Sequence, residues 1–317
     1  MKNSSSQVLL AMSAPPYWHC GQTVFKRSLD YLIALAPAAF MAVYTWGISA
    51  ARVMAVSVLT AVAVEAMASR IMKRPVRVGD LTAVVSALLL AFLLPASSPW
   101  WIVMLGAAAA ILFGKMFFGG LGNCPMPTPI VGWAILFVSY PVLTDPNLMQ
   151  LATTFADPLS RVQAFGVAAA DRFSIADLLL GRQVAALGAG QIGALLLGGL
   201  YLVGRGSVRW QIVLGVFLGV GVPFALLNMI SPETSAPVLF ELCTGSVVFC
   251  AFFIATESNT APTHFLAMFL YGLTVGLLMF AIRRFGSYAD GAPFAVMACS
   301  LLTPYFDMIR PKPFGVR

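Results

Sequence analysis

The chain has 317 residues, of which 60% are hydrophobic and 10% charged, with a formal net charge of +7 and a mean hydropathy of +0.88. A soluble domain carries about 25% charged residues, so too few charges are present to cover a water-facing surface, and a soluble enzyme is excluded. The bases are scattered between apolar runs, which is the pattern of topology signals at a lipid bilayer and not of a nucleic-acid binder.

Residues 1–22 are polar, hold few bases and lack the charged start and small-residue cleavage site of a signal peptide. The first apolar run is therefore expected to remain as an uncleaved helix. A spanning helix needs about 20 mostly apolar residues. Ten candidate spans follow in order, at about 28–46, 50–69, 81–96, 100–118, 128–144, 184–204, 209–229, 237–255, 265–283 and 292–308. The chain thus divides into an N-terminal segment (1–27), a first five-helix set (28–144), an external loop (145–183), a second five-helix set (184–308) and a tail (309–317).

The densest basic cluster, Arg70, Lys73, Arg74 and Arg77, lies between the second and third spans. Assigning it to the cytoplasm puts both termini there. Lys26, Arg27, Arg205, Arg209, Arg310 and Lys312 agree, and the 97–99 and 230–236 connections carry no Lys or Arg. Arg283 and Arg284 oppose the scheme, at the outer end of the ninth span. The five cysteines form no C-x-x-C pair and read as small core residues. Cys243 and Cys250, seven apart, are expected on one helix face. Trp18, Trp100, Trp101 and Trp210 read as interfacial anchors, and His19 and His264 as surface histidines without a special role.

The two halves are weakly similar. Phe92-Leu-Leu-Pro95, a polar break at 97–99, a helix and Phe118-Gly119-Gly120 match Phe252 to Ala255, a break at 256–262, a helix and Phe285-Gly286-Ser287. An odd number of spans per half inverts the second relative to the first, and such repeats place a site at interrupted helices near the midplane. Ionisable residues within spans are functional candidates. Glu65 sits late in the second span, where it lines an ion path or pairs with the nearby basic cluster. Asp80 opens the third span as an ion-path residue or a simple cap. Glu257 and Thr260, with Ser258 and Asn259, form the best polar cluster of the second half, fit to line a cation or flavin site or to cap the broken helix. Lys115 is expected to snorkel to the interface.

The same breaks carry a resemblance. Ser98-Pro-Trp-Trp101 through Gly119-Gly-Leu-Gly-Asn123 to Val131-Gly132, then Thr256-Glu-Ser-Asn-Thr260-Ala-Pro-Thr263, then Ile282 to Gly291 resemble the RnfD component of the Rnf electron-transport complex. They are more distantly similar to the NqrB component of the sodium-translocating NADH:quinone reductase. The resemblance covers almost the whole chain. It implies an all-α polytopic fold like that of urea and ammonium transporters, with two inverted five-helix repeats. It also implies a bacterial inner-membrane protein that works with other membrane subunits of an Rnf-type complex. Such a complex couples electron transfer of the ferredoxin or NAD class to ion translocation. The alternatives are a stand-alone transporter or channel of this fold, or a structural, flavin-free subunit of the complex.

Members of the family usually carry flavin mononucleotide, joined through its phosphate to a threonine of an outward loop. Leu151 to Leu159 can be laid on that attachment motif. Thr154 then falls on the motif's Ser/Thr, Pro158-Leu159 match, Phe155 replaces a glycine and Asp157 replaces the acceptor threonine. A phosphoester needs a hydroxyl, and a carboxylate would give a labile mixed anhydride. Covalent flavin is therefore expected to be absent, leaving a non-covalent flavin or a carrier on a partner. The first-half break reads Cys124-Pro-Met-Pro-Thr128 where the family shows asparagines.

Overall fold

The computed structural model describes residues 23–73, 78–145, 157–231, 236–286 and 288–309, apart from the side chains of 78, 168, 171 and 172. Thr154, Arg74, Arg77, Arg310, Lys312, Trp18, His19 and Cys20 lie outside the described residues. Among those described, the chain is helical and holds no strand.

The helices are α1 (Val24–Trp46), α2 (Ile48–Ile71), α3 (Thr82–Leu93), α4 (Trp100–Ala109, continued by π-helical Ala110–Met116) and α5 (Thr128–Ser139). After them come α6 (Pro158–Phe165), α7 (Ile192–Gly204), α8 (Trp210–Ile230) and α9 (Val238–Leu242). Then follow α10 (Val247–Phe249, continued by π-helical Cys250–Ile254), α11 (Phe265–Phe285) and α12 (Ala292–Leu301), with shorter helical turns between and after these elements. α1, α2, α8 and α11 are long and apolar enough to cross a membrane, and α3, α4, α5, α7 and α12 are shorter apolar helices.

Four expected spans are corrected. The span at 184–204 is helical only from Ile192. Residues 187–189 instead run along the end of α3, where the N–H groups of Leu187, Gly188 and Ala189 donate to Leu94 O, Phe92 O and Phe92 O at 2.9, 3.3 and 3.2 Å. A helix end leaves carbonyls without an internal partner, and this segment supplies the donors. Gly188 lies on the Phe92 ring, where a Cβ would collide. The span at 237–255 is broken at 243–246, with Gly245 at φ 64°. Cys243 and Cys250 therefore lie on opposite sides of a break and do not share a helix face. The span at 128–144 ends at Ser139, because Pro141 pushes Tyr140 out of helical geometry. The span at 292–308 ends at Leu301, and Pro304 opens a separate turn, Thr303–Phe306.

Small residues set the closest helix approaches. Gly215 and Gly219 of α8 face Gly272 and Gly276 of α11, a small-xxx-small pair on each helix. A Cβ on Gly215 would stand 2.6 Å from Phe269 O, and one on Gly276 would strike Val216 O. Gly132 of α5 rests on Gly106 O and Ala110, and Gly198 of α7 on Ala34 O. The backbone is the obstacle in these contacts, so the bundle cannot yield by rotating a side chain. Gly276→Val is expected to destabilise the chain by about 1–3 kcal/mol. Leu277→Val on the exposed face should stay within about 0.5 kcal/mol. Equilibrium unfolding in detergent micelles compares the two.

Candidate functional site

Charged residues collect at the two ends of the bundle, each beside a cavity. At the first end, Lys115 closes the π-helical turn of α4. Its Nζ donates to Glu65 Oε1 at 2.5 Å and to Thr82 Oγ1 at 2.8 Å. Glu65 is 3% exposed and Lys115 6%. Both expectations for these residues are corrected. Lys115 does not snorkel, and among the described residues Glu65 pairs with Lys115, while Arg70 of the basic cluster is exposed. The reason is electrostatic, because a carboxylate buried among helices requires a cation within the same interior. The second carboxylate oxygen, Glu65 Oε2, is buried without a hydrogen-bond partner.

Asp80 does not cap α3. It lies in the 3-10 turn Val78–Asp80, and Leu81, in the left-handed region at φ 57°, takes the N-cap position. Asp80 instead lines a cavity of about 420 Å³ with Glu65, Ser69, Thr82 and Lys115. A neighbouring cavity of about 280 Å³ holds Glu257, with Arg27, Tyr31, Ser86, Thr128 and Asn259 in its wall. Lys115 and Thr82 line both spaces. Glu257 follows the π-helical end of α10, and its carboxylate meets the Thr128 N–H in the first turn of α5 and the Asn259 side chain. Anions are favoured at such a helix start. Glu257 Oε2 and the hydroxyl of Tyr31 are buried without partners. Thr260 is also buried, but it lines a different cavity, of about 550 Å³, with Asn123, Cys124 and Asp307. Its carbonyl accepts from Thr303 Oγ1 at 2.8 Å. The structure thus joins Glu65 with Asp80, sets Glu257 next door and leaves Thr260 apart.

At the opposite end sits Arg283, the residue that opposed the charge scheme. It is 7% exposed. Its Nη1 donates to Glu241 O at 2.6 Å and to Glu241 Oε2 at 3.1 Å, and its Nη2 donates to Thr244 O at 2.8 Å. Asp290 stands 3.6 Å from Nη2 and accepts from Ser246 N at 2.9 Å. This charge is internal and ties two chain breaks together, so it gives no topology signal. Sequence reading missed it as a structural centre. Two acids, Glu241 and Asp290, each beside a break, were the available signal.

Beside this cluster a cavity of about 190 Å³ is lined by Asp145, Asp157, Ser160 and Asp290 and by four rings. Trp133 stacks on Phe137 at 5.0 Å between centroids, Phe294 meets Trp133 at 4.9 Å, and Tyr288 meets Phe137 at 5.1 Å. Asp157 caps α6, accepting from Leu159 N at 3.2 Å and Ser160 N at 3.1 Å. Between this cavity and that of Glu257 runs a column of rings. Phe92, Phe249, Phe253 and Tyr31 follow one another at 6.0, 5.9 and 6.5 Å. Leu93, next to Phe92, lines the cavity of Asp157, while Phe253 and Tyr31 line that of Glu257.

These features define a membrane protein with interrupted helices and buried charges at both ends of an apolar bundle. The model of the NQR2, RnfD, RnfE family matches residues 11–315. The chain is 30% identical over 350 aligned positions to the D component of the ion-translocating oxidoreductase complex of Cronobacter sakazakii, covering 98% of this chain and 100% of that one. It is 31% identical to the D component of the Na(+)-translocating ferredoxin:NAD(+) oxidoreductase complex of Acetobacterium woodii, covering 98% and 97% of the two. It is 34% identical over 260 positions to the D component of the ion-translocating oxidoreductase complex of Alcanivorax borkumensis, covering 74% and 76%. The chain belongs to the NQR2, RnfD, RnfE family and is a membrane subunit of an Rnf-type, multi-subunit complex.

Removing Arg283 would leave Glu241 buried and uncompensated. Arg283→Met is expected to cost about 3–5 kcal/mol. Adding Glu241→Gln should recover part of the loss, as thermal unfolding of the purified chain would register.

Proposed function

We propose that this protein carries ions through its own bundle while the complex moves electrons of the ferredoxin or NAD class. The observation that carries this reading is the pair of carboxylate-lined cavities, one from each end, facing each other across Phe249 and Phe253. An apolar constriction between two polar spaces is a form of gate known from channels. Glu257 and Glu65, with Asp80 at the mouth, are the inner ion-path residues. Thr260 sits beside the path, in the wall of a separate space.

The chain is read as ten membrane segments in two inverted sets of five, at 28–144 and 184–308, resembling the urea-transporter fold. Three features support this. α2 packs on α4 as α8 packs on α11. α4 and α11 are each followed by a break and a shorter helix, α5 and α12. Each of α4 and α11 ends on a buried, ion-paired cation, Lys115 or Arg283, at opposite ends of the bundle. With Arg283 assigned to the interior, the remaining bases favour the Lys115 end as cytoplasmic, with both termini there, in a bacterial inner membrane. The partners are the other membrane subunits of the complex.

The loop cavity does not fit a phosphate-linked flavin. Asp157 has no hydroxyl to esterify, and its carboxylate already takes the two first-turn N–H groups that a phosphate would meet. Asp145 and Asp290 line the same space, Asp290 beside the Arg283 guanidinium. This protein is therefore read as lacking covalent flavin mononucleotide. The intact mass of the purified chain should equal its sequence mass, and a flavin-sized addition or in-gel flavin fluorescence would refute that.

Purification through a tag on this chain should bring down membrane partners with redox centres. Recovery as a homo-oligomer without them would count against the functional reading. In proteoliposomes of the complex, Glu257→Gln should lower ion uptake about tenfold or more while electron transfer between soluble donor and acceptor falls less. Unchanged uptake would remove Glu257 from the path.

A further inference from the structure

Lys115 holds a position that a translocated cation would want. Its ammonium is bound by Glu65 Oε1 and Thr82 Oγ1, two oxygens on different helices. Glu65 presents its other oxygen, Oε2, buried and without a partner, in the wall of a cavity that also shows Ser69 and Asp80. Hard oxygen donors of this kind suit a small metal cation. A proton would need only one of them.

The ammonium also has somewhere to go. Lys115 lines the adjacent cavity, where Glu257 carries a second buried oxygen without a partner and interacts electrostatically with Lys115. A lysine ammonium is a compact charge on a flexible four-carbon stem. Among the described residues, the ionisable groups lining the two spaces are Glu65, Glu257 and Asp80 with Lys115 and Arg27.

We infer that Lys115 is a tethered stand-in for the transported ion: a sodium-sized cation entering beside Asp80 takes the oxygens of Glu65 and Thr82, and the displaced ammonium swings to Glu257. Return of the ammonium expels the cation. Lys115 is then a specificity-determining residue that competes with the substrate ion and never binds it. This rests on the reading that the protein carries ions.

The test is sodium-dependent turnover of the whole complex in proteoliposomes, titrated with sodium chloride against choline chloride. Lys115→Met leaves the site open, so the half-saturating sodium concentration should fall about tenfold while maximal uptake also falls, because nothing expels the ion. An unaltered half-saturating concentration overturns the proposal. If Lys115→Met fails to fold, because Glu65 is left uncompensated, the neutral pair Glu65→Gln with Lys115→Gln decides. That variant should assemble and lose sodium saturation. Assembly with wild-type sodium dependence overturns the inference. A wild-type complex that takes up protons without any sodium dependence also overturns it, but leaves ion carriage standing. A complex that takes up no ion refutes the underlying reading itself.

Discussion

The N–H groups of Leu187, Gly188 and Ala189 close the carbonyls that α3 exposes at Phe92 and Leu94. In an apolar bundle every freed backbone group has to be satisfied by protein or by a lined cavity, and the layout follows from how these breaks are closed. The join at α3 draws the start of the second half onto the first. It brings Leu93, Val184, Ala185, Ala186 and Ala189 into the wall of the Asp157 cavity. It also leaves Phe92 to meet Phe249 and begin the ring column. Other breaks are closed by buried side chains, with Arg283 gripping the carbonyls of Glu241 and Thr244.

Charge is arranged around the same breaks. Lys115 and Arg283 are each buried, each paired with a glutamate, and lie at opposite ends. Their surroundings differ. Arg283 donates to two carbonyls and the Glu241 carboxylate and pairs with Asp290, which fixes chain segments in place. Lys115 bonds one carboxylate and one hydroxyl, and both of its glutamate neighbours keep an oxygen free. An arginine clamp is rigid and planar, while a lysine is a mobile point charge. One end is therefore built to hold and the other has room to exchange partners.

Asp157 shows how one side chain can close a helix start from within. It closes the first turn of α6 with its own carboxylate. The cavity that Asp157 lines is also walled by Trp133, Phe137, Tyr288 and Phe294.

Composition alone determined that this chain lives in a bilayer, and apolar run lengths located the four long helices α1, α2, α8 and α11 to within a few residues. Motif order gave the family. Glu65, Asp80 and Glu257 stood out because charge inside an apolar run is costly and therefore visible in one dimension. Tertiary structure decided what the sequence could not order. Hydropathy counts apolar residues and is blind to a backbone that stops hydrogen bonding, so 184–191 and 243–246 read as helix although they are breaks. It also assigns a cation to the water beside its span, so Lys115 read as snorkelling and Arg283 as a misplaced topology signal. Whether a buried charge faces lipid, water or a partner depends on which helix lies across from it, and that is fixed only when glycines such as Gly132, Gly198 and Gly276 let the backbones close on one another.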